Sequence, residues 1–347
     1  MPVDPPNRIL VVKLSAIGDV LMATPVARAL RTAFPESHIA WVVERKAADV
    51  VLGNPCLDEV IVWDRRKWGG AFGWLKGLVM NASALRRALD GRRFDVALDL
   101  QGLLRSALVA CASGAGKRIG FSDAAECSTL FYNVKHDPGE LAENAQQRNL
   151  DMLRALGVQS TDTQMLMPIT DIDREFARGF LARSELSGVK MVGICPATTR
   201  PNKHWTREGW SRVIDLIAER TGARALIFGA KADIEYARGI AEGVNTKVVI
   251  AAGETTLKQA AALMEQCVAI AGVDTGLIHM AVALDRPTVG LFGSSDWRCH
   301  VRKDNTTWLT KDYPCSPCGM RPKCKDIDCM SAFEPEEVAE AVQRWVV

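Results

Sequence analysis

The sequence predicts an α/β fold of two Rossmann-like, doubly wound domains facing a central cleft. Three observations carry that expectation. Short β-branched apolar runs recur along the chain, amphipathic stretches of about ten to fifteen residues separate most of them, and the runs fall into two series. At 347 residues the chain also exceeds a comfortable single core, so two domains of ordinary size are expected.

The first run, 8–14, reads Arg-Ile-Leu-Val-Val-Lys-Leu and leads through Gly18-Asp19 into a helical pattern that stops before Pro35, which is a strand, turn and helix unit. Runs at 39–43, 60–63 and 94–100 continue the first series, and runs at 189–195, 223–228, 247–251, 268–272 and 288–292 form the second. Continuous apolar strands separated by helices argue for parallel sheets covered on both faces. The implied organisation is a first domain at 1–165, a polar, Pro-bearing linker at 166–187 with one short helical pattern, and a second domain at 188–333. The second domain carries a Cys-rich loop at 313–330, and a last helix at 334–347 could cross back over the first domain. Ligands of doubly wound folds sit beyond the carboxyl ends of the strands.

Hydrophobic residues at 48%, charged residues at 24% and a net charge of +2 fit an ordinary globular protein and give no global attraction to nucleic acid or membrane. The charge is uneven, because 63–118 holds eleven Lys and Arg against four Asp and no Glu, which leaves the remainder net acidic. No apolar stretch is long enough to span a bilayer, and the N-terminus lacks a signal-peptide layout, so the expected location is the cytoplasm. Of ten Cys, six are scattered through apolar contexts such as Cys195 and Cys267, as reduced buried thiols would be.

Two stretches have the chemistry of diphosphate binding. Val273-Asp274-Thr275-Gly276-Leu277-Ile278-His279 follows a buried strand and opens a helix, so free backbone N–H groups and the positive end of the helix dipole meet whatever lies there. His279 falls one turn in, on the face of Thr275. Ala197-Thr198-Thr199-Arg200-Pro201-Asn202-Lys203-His204-Trp205 also follows a strand and offers hydroxyls, backbone and an ammonium to phosphate oxygens. A flexible ammonium neutralises charge growing on a leaving phosphate and can do the job of a divalent ion. The simpler alternatives are a capped helix with a packed His279 and a solvated Lys203.

Asp19 stands at the amino end of the first helix, where the dipole favours a carboxylate able to accept a proton from an attacking hydroxyl. An ordinary helix cap is the alternative. Asp233 and Glu235 follow a strand of the second series, where acidic residues of other doubly wound folds bind a ribose, though solvated helix-start residues read the same way. Arg65-Arg66-Lys67-Trp68, with Trp74 and Lys76 beyond, suits an anionic acceptor and a bilayer surface. Cys315, Cys318, Cys324 and Cys329 have spacings compatible with a structural zinc ion or an iron–sulfur cluster, and equally with free or disulfide-bonded thiols.

Taken together, Lys13-Leu14-Ser15-Ala16-Ile17-Gly18-Asp19, Asp99-Leu100-Gln101-Gly102-Leu103, the 197–205 loop and Asp274 to His279 resemble glycosyltransferase family nine, the ADP-heptose:lipopolysaccharide heptosyltransferases, over 8–293. The Ala-Thr-Thr-Arg and Lys-His-Trp pairing is most similar to the branch that adds the first heptose. The resemblance implies a GT-B architecture and an inverting transfer of heptose from ADP-heptose to Kdo or heptose of the lipid A-linked core, with no cofactor for catalysis. It implies that Asp19 is the general base. Thr198, Thr199, Lys203, Asp274, Thr275, Gly276 and His279 would hold the donor, with Asp233 and Thr255 as looser nucleotide contacts. Arg65, Arg66 and Lys67 would meet the acceptor at the cytoplasmic face of the inner membrane. Two departures stand out: Ala125 occupies a place where the first-heptose branch carries Arg, and the Cys quartet is outside the familiar pattern.

Three alternatives remain at this level. A family member could use another nucleotide sugar or core acceptor, or the chain could bind a nucleotide sugar without catalysis. A dinucleotide oxidoreductase is disfavoured because the first turn, Ser15-Ala16-Ile17-Gly18-Asp19, lacks the G-x-G-x-x-G that close pyrophosphate approach needs.

Overall fold

The structure is a computed structural model that describes residues 5–63, 86, 89, 91–139, 144–318 and 327–346. It divides into two compact units, Met1–Pro168 and Ile169–Val347.

The first unit is built on strands β1 (Arg8–Val12), β2 (His38–Glu44), β3 (Glu59–Trp63), β4 (Val96–Asp99), β5 (Lys117–Phe121) and β6 (Val134–His136). Their order is β3-β2-β1-β4-β5-β6, with every neighbouring pair parallel. Ile9, Leu10, Val11 and Val12 are fully buried, as a central strand covered on both faces requires. Helix Ile17–Ala33 follows β1, and its own Asp19 carboxylate closes the first turn by accepting the Ala16 N–H at 3.0 Å.

The second unit repeats the plan with β7 (Met191–Cys195), β8 (Arg224–Ile227), β9 (Val248–Ile250), β10 (Ala269–Val273), β11 (Thr288–Phe292) and β12 (Thr306–Thr310). The order is β12-β11-β10-β7-β8-β9, again all parallel. Each sheet therefore reverses direction of growth once, between β1 and β4 in the first unit and between β7 and β10 in the second. At such a switch point the two connections leave on opposite faces and open a crevice for a ligand. β7 and β10 are drawn close there, since a Cβ on Gly272 would lie 2.4 Å from the Cys195 carbonyl oxygen.

Three strands went unrecognised in the sequence. β5 begins with the charged pair Lys117-Arg118, β6 is three residues long, and three of the five residues of β12 are Thr. β6 and β12 are sheet edges, where one side needs no partner and the apolar signal is weakest.

Two boundary expectations are corrected. The short helical pattern expected in the linker at 166–187 is helix Asp171–Arg183, capped by Thr170, and it belongs to the second unit, packed against helix Leu257–Met264 with Ala177 and Phe180 buried. The last helix, Pro335–Gln343, packs on helix Arg207–Thr221 and places Val338, Ala341 and Val342 in the core of the second unit, where they cover the β10 and β11 face. Its apolar stripe is thus satisfied by the unit that precedes it in sequence. Among the described residues no helix is long and apolar enough to cross a membrane.

This packing sets a stability expectation. Val342→Ala, at a fully buried position, should lower the unfolding free energy by about 2 kcal/mol, while Glu340→Ala on the exposed face should change it by less than about 0.5 kcal/mol. Equal shifts in urea midpoint for the two variants would show that the helix is not docked as described.

Candidate active site

The carboxyl ends of four adjacent strands of the second sheet carry the residues singled out for the donor. Asp274 and Thr275 follow β10, Thr198 to Lys203 follow β7, Asp233 follows β8 and Thr255 follows β9, in the spatial order β10-β7-β8-β9. Helix Gly276–Ala283 starts directly after Asp274-Thr275. Thr275 is its N-cap but makes no side-chain capping bond; the Ile278 N–H donates to the Thr275 carbonyl at 3.1 Å, and among the described residues no side chain caps the N–H groups before it.

Asp274 is the hub. Its Oδ2 takes the Lys203 ammonium, from a residue 71 positions away, and the two side chains are only 7% and 15% exposed. Its Oδ1 lies 3.4 Å from His279 Nε2 and 3.9 Å from His300 Nε2. The rings of His279 and His300 stack with centroids 4.6 Å apart and planes 27° from parallel, and His300 also lies 5.1 Å from the Phe292 ring. Burial acts to raise the Asp274 carboxyl, but the His279 hydrogen bond and, in the acid range where a carboxyl titrates and an ordinary imidazole is charged, the pull of His279, His300 and Lys203 outweigh it and hold the group well below the usual carboxylate range. Lys203 is therefore neither solvated nor loose.

The ligand atoms of Asp274, His279 and His300 lie within 4.8 Å of one another, a spacing a metal ion could use. The Lys203 ammonium already supplies the cation that this carboxylate meets.

The loop that presents Lys203 is itself braced. His204 Nε2 lies 3.1 Å from Thr198 N and 2.8 Å from Thr198 O, and its ring packs 4.9 Å from that of Tyr236. Trp205 is buried edge-on against Trp210. Thr198 is half-buried and Thr199 exposed. Asp233 spends one oxygen on the Ala230 N–H at 2.7 Å, and exposed Glu235 pairs with Arg238 at 2.7 Å, which leaves Asp233 as the partly buried carboxylate beside β8. Thr255 is half-buried, one residue before the cap of helix Leu257–Met264.

In the first unit, the switch point between β1 and β4 holds a second polar group. Asp99 is fully buried, accepts hydrogen bonds from the N–H groups of Gln101 (2.9 Å) and Gly102 (3.1 Å), and takes the Tyr132 hydroxyl at 2.7 Å. Burial still pushes its carboxyl upward against those bonds. Gln101 Oε1 receives the N–H groups of Leu14 and Ser15, each at 3.2 Å, and so fixes the turn that leads to Asp19. Gly102 needs its left-handed φ of +68° to return the chain. Lys13 is buried and donates to the Leu100 carbonyl at 2.8 Å; burial lowers its affinity for a proton while the charges of Asp19 and Asp99 oppose that. The Asp-Leu-Gln-Gly-Leu stretch is thus a brace for the Asp19 turn.

Arg65, Arg66 and Lys67 lie outside the described residues, as does Cys324. Cys318 and Cys329 converge on the turn after β11: the Cys318 N–H donates to the Ser294 carbonyl at 3.1 Å, and a Cβ on Gly293 would meet Cys329 Sγ at 2.9 Å. Cys315 is exposed. His300 escaped the sequence reading altogether. It sits in an irregular segment after β11 with no motif around it, and only the fold carries it to Asp274.

The chain is similar to known proteins along most of its length. The profile described as Glycosyltransferase family 9 (heptosyltransferase) matches residues 82–326. The chain belongs to that family. Lipopolysaccharide heptosyltransferase 1 of Escherichia coli K12 is 31% identical over 293 residues, which cover 83% of this chain and 88% of that one. The protein of the same description from Pseudomonas aeruginosa is 29% identical over 317 residues, covering 90% and 86%. Among solved structures, the glycosyl transferase family 9 protein from Veillonella parvula superposes with a TM-score of 0.83 at 25% identity over 100% of this chain and 98% of that one. E. coli heptosyltransferase WaaC with ADP gives 0.75 at 28% identity over 97% and 99%. This family-9 chain is a glycosyltransferase.

The Asp274 hub is open to a stability test. Because its folded carboxyl is depressed, the pairing stabilises the protein above the ordinary carboxylate range near pH 4 and is lost only as pH falls toward the lower folded value. Asp274→Asn should cost about 3 kcal/mol at neutral pH, because it strands Lys203, and the gap from wild type should narrow in strong acid. Urea midpoints measured from neutral pH to pH 3 would contradict this if the gap were constant.

Proposed function

We propose that this family-9 enzyme transfers heptose from ADP-heptose to the Kdo or heptose of the lipopolysaccharide inner core, with inversion, without a catalytic metal, and with Asp19 as general base. The observation that carries the reading is the Lys203 ammonium held on Asp274 beside the open helix end at Thr275, at the switch point of the second sheet. It is a fixed cation where a diphosphate would leave, and backbone N–H groups aimed at the same place add to it. The relatives support the donor: WaaC has been solved with ADP and with ADP-2-deoxy-2-fluoro heptose.

In this reading Thr198, Thr199, Lys203, Thr275, Gly276 and His279 hold the diphosphate, while Asp233 and Thr255 contact the nucleoside. The acceptor oxygen attacks the anomeric carbon as the bond to the β-phosphate oxygen breaks, its proton passes to the Asp19 carboxylate, and ADP leaves with the electron pair. One displacement inverts the centre. Arg65, Arg66 and Lys67 receive the anionic acceptor, and the basic stretch around them suits the cytoplasmic face of the inner membrane. A different core acceptor is the second reading, favoured by Ala125, whose N–H braces the Gly102 carbonyl at 3.0 Å where the first-heptose branch carries Arg. For the Cys quartet, the spacing alone carries the reading of a structural zinc ion or iron–sulfur cluster, since Cys315, Cys318 and Cys329 do not gather into a ligand cluster among the described residues, and elemental analysis of the purified chain decides it.

Product mass after incubation with ADP-heptose and either Kdo2-lipid A or a heptosylated core identifies the acceptor. Asp19→Asn should cut turnover by at least about 100-fold with ADP affinity unchanged, as loss of a general base predicts. Retained turnover would reject Asp19, and a lost signal restored by magnesium after EDTA treatment would reject the metal-free step.

A further inference from the structure

A phosphate that draws on the Lys203 ammonium takes charge compensation away from Asp274, and that sharing has an electrostatic cost the donor motifs do not cover. In the ligand-free chain the ammonium and the carboxylate cancel. A nucleoside diphosphate brings at least two negative charges to a pair with no net charge. If Lys203 turned to the phosphate alone, Asp274, only 7% exposed, would be left as a buried anion beside another anion.

Among the described residues, three charged or titratable side chains lie against this carboxylate. Lys203 comes from the β7 loop, His279 from the helix after β10, and His300 from the segment after β11. Asp296 is also an electrostatic neighbour of His300, but its carboxylate is gripped by Arg298 through two bonds of 2.8 Å. Cys299 is exposed, and the Phe292 ring lies 5.1 Å from that of His300. Two imidazoles therefore face one carboxylate oxygen, stacked so that one proton can serve both. A stacked pair with a shared anion is a poor place for two positive charges and a good place for one.

We propose that His300, with His279, takes up a proton when a nucleoside diphosphate binds and so replaces Lys203 as the cation on Asp274. His300 is then a positioning residue: it acts on Asp274 and frees Lys203 for the phosphate without touching the reacting atoms. The hand-off rests on the donor reading above, since it needs a diphosphate at this subsite. Proton balance is simple, with one proton taken from solvent on binding and returned when the diphosphate leaves. Binding must therefore weaken as pH rises, by up to tenfold per pH unit over the range where a full proton is taken up.

The test is calorimetric titration of the full chain with ADP near pH 8, where a phosphate monoester with a second pKa of about 6 is fully ionised and an ordinary histidine is neutral. Running it in two buffers of different ionisation heat counts the protons. Wild type should take up a substantial fraction of one proton per ADP. His300→Gln should abolish most of that uptake and weaken ADP roughly tenfold, the size of one charge-assisted interaction. His300→Phe, which keeps the stack on His279 and Phe292 but carries no proton, should do the same, whereas a merely structural role for His300 would leave uptake intact in the folded Phe variant. ADP binding by wild type without proton uptake, or uptake unchanged in both variants, would overturn the hand-off and leave the donor reading standing. Failure of wild type to bind ADP at all would overturn both.

Discussion

A buried carboxylate that holds an ammonium on one oxygen and faces two imidazoles on the other organises the carboxyl edge of the second sheet. Asp274 is placed by β10, Lys203 by the loop after β7, and the two strands are hydrogen-bonded neighbours although 71 residues separate the side chains. Everything proposed for the donor depends on that adjacency. Without it Lys203 would be one solvated lysine among many, and the helix end at Thr275 an ordinary start. Buried pairs of this kind add little net stability over an apolar replacement, so their value lies in fixing where a charge sits.

The first sheet solves a related problem with neutral braces. Gln101 ties the loop after β4 to the turn after β1, Asp99 ties that loop to itself and to Tyr132, and Gly102 bends it back. The outcome is an Asp19 whose helix begins from a turn held on both sides. Part of its carboxylate is used to close that turn, so the same side chain is a cap and the proposed base. The two roles are compatible because one oxygen suffices for the backbone N–H. Both polar groups stand at the point where their sheet reverses growth, and the shared strand order explains why two unrelated-looking motifs serve the two units in equivalent places.

Much of this was legible in the residues. The apolar runs located nine of the twelve described strands, and Asp274-Thr275-Gly276, the 197–205 loop and Gly18-Asp19 were recognisable because phosphate binding and capping need particular residue types at fixed local spacing. What escaped had weak local signals. β6 and β12 are edges, the polar composition of the 166–187 interval hid that its helical pattern docks on the second unit, and the final helix showed an apolar stripe without showing which surface would cover it.

The sequence by itself determined the fold class, the family and the local chemistry of each loop, since those follow from periodicity and short-range spacing. Tertiary structure decided who meets whom. Lys203 reaches Asp274, and His300 stacks on His279, because three strands distant in sequence lie side by side as β7, β10 and β11. The physical reason is that charge pairing depends on distance in space and desolvation by neighbours, and neither is written in the local order of residues.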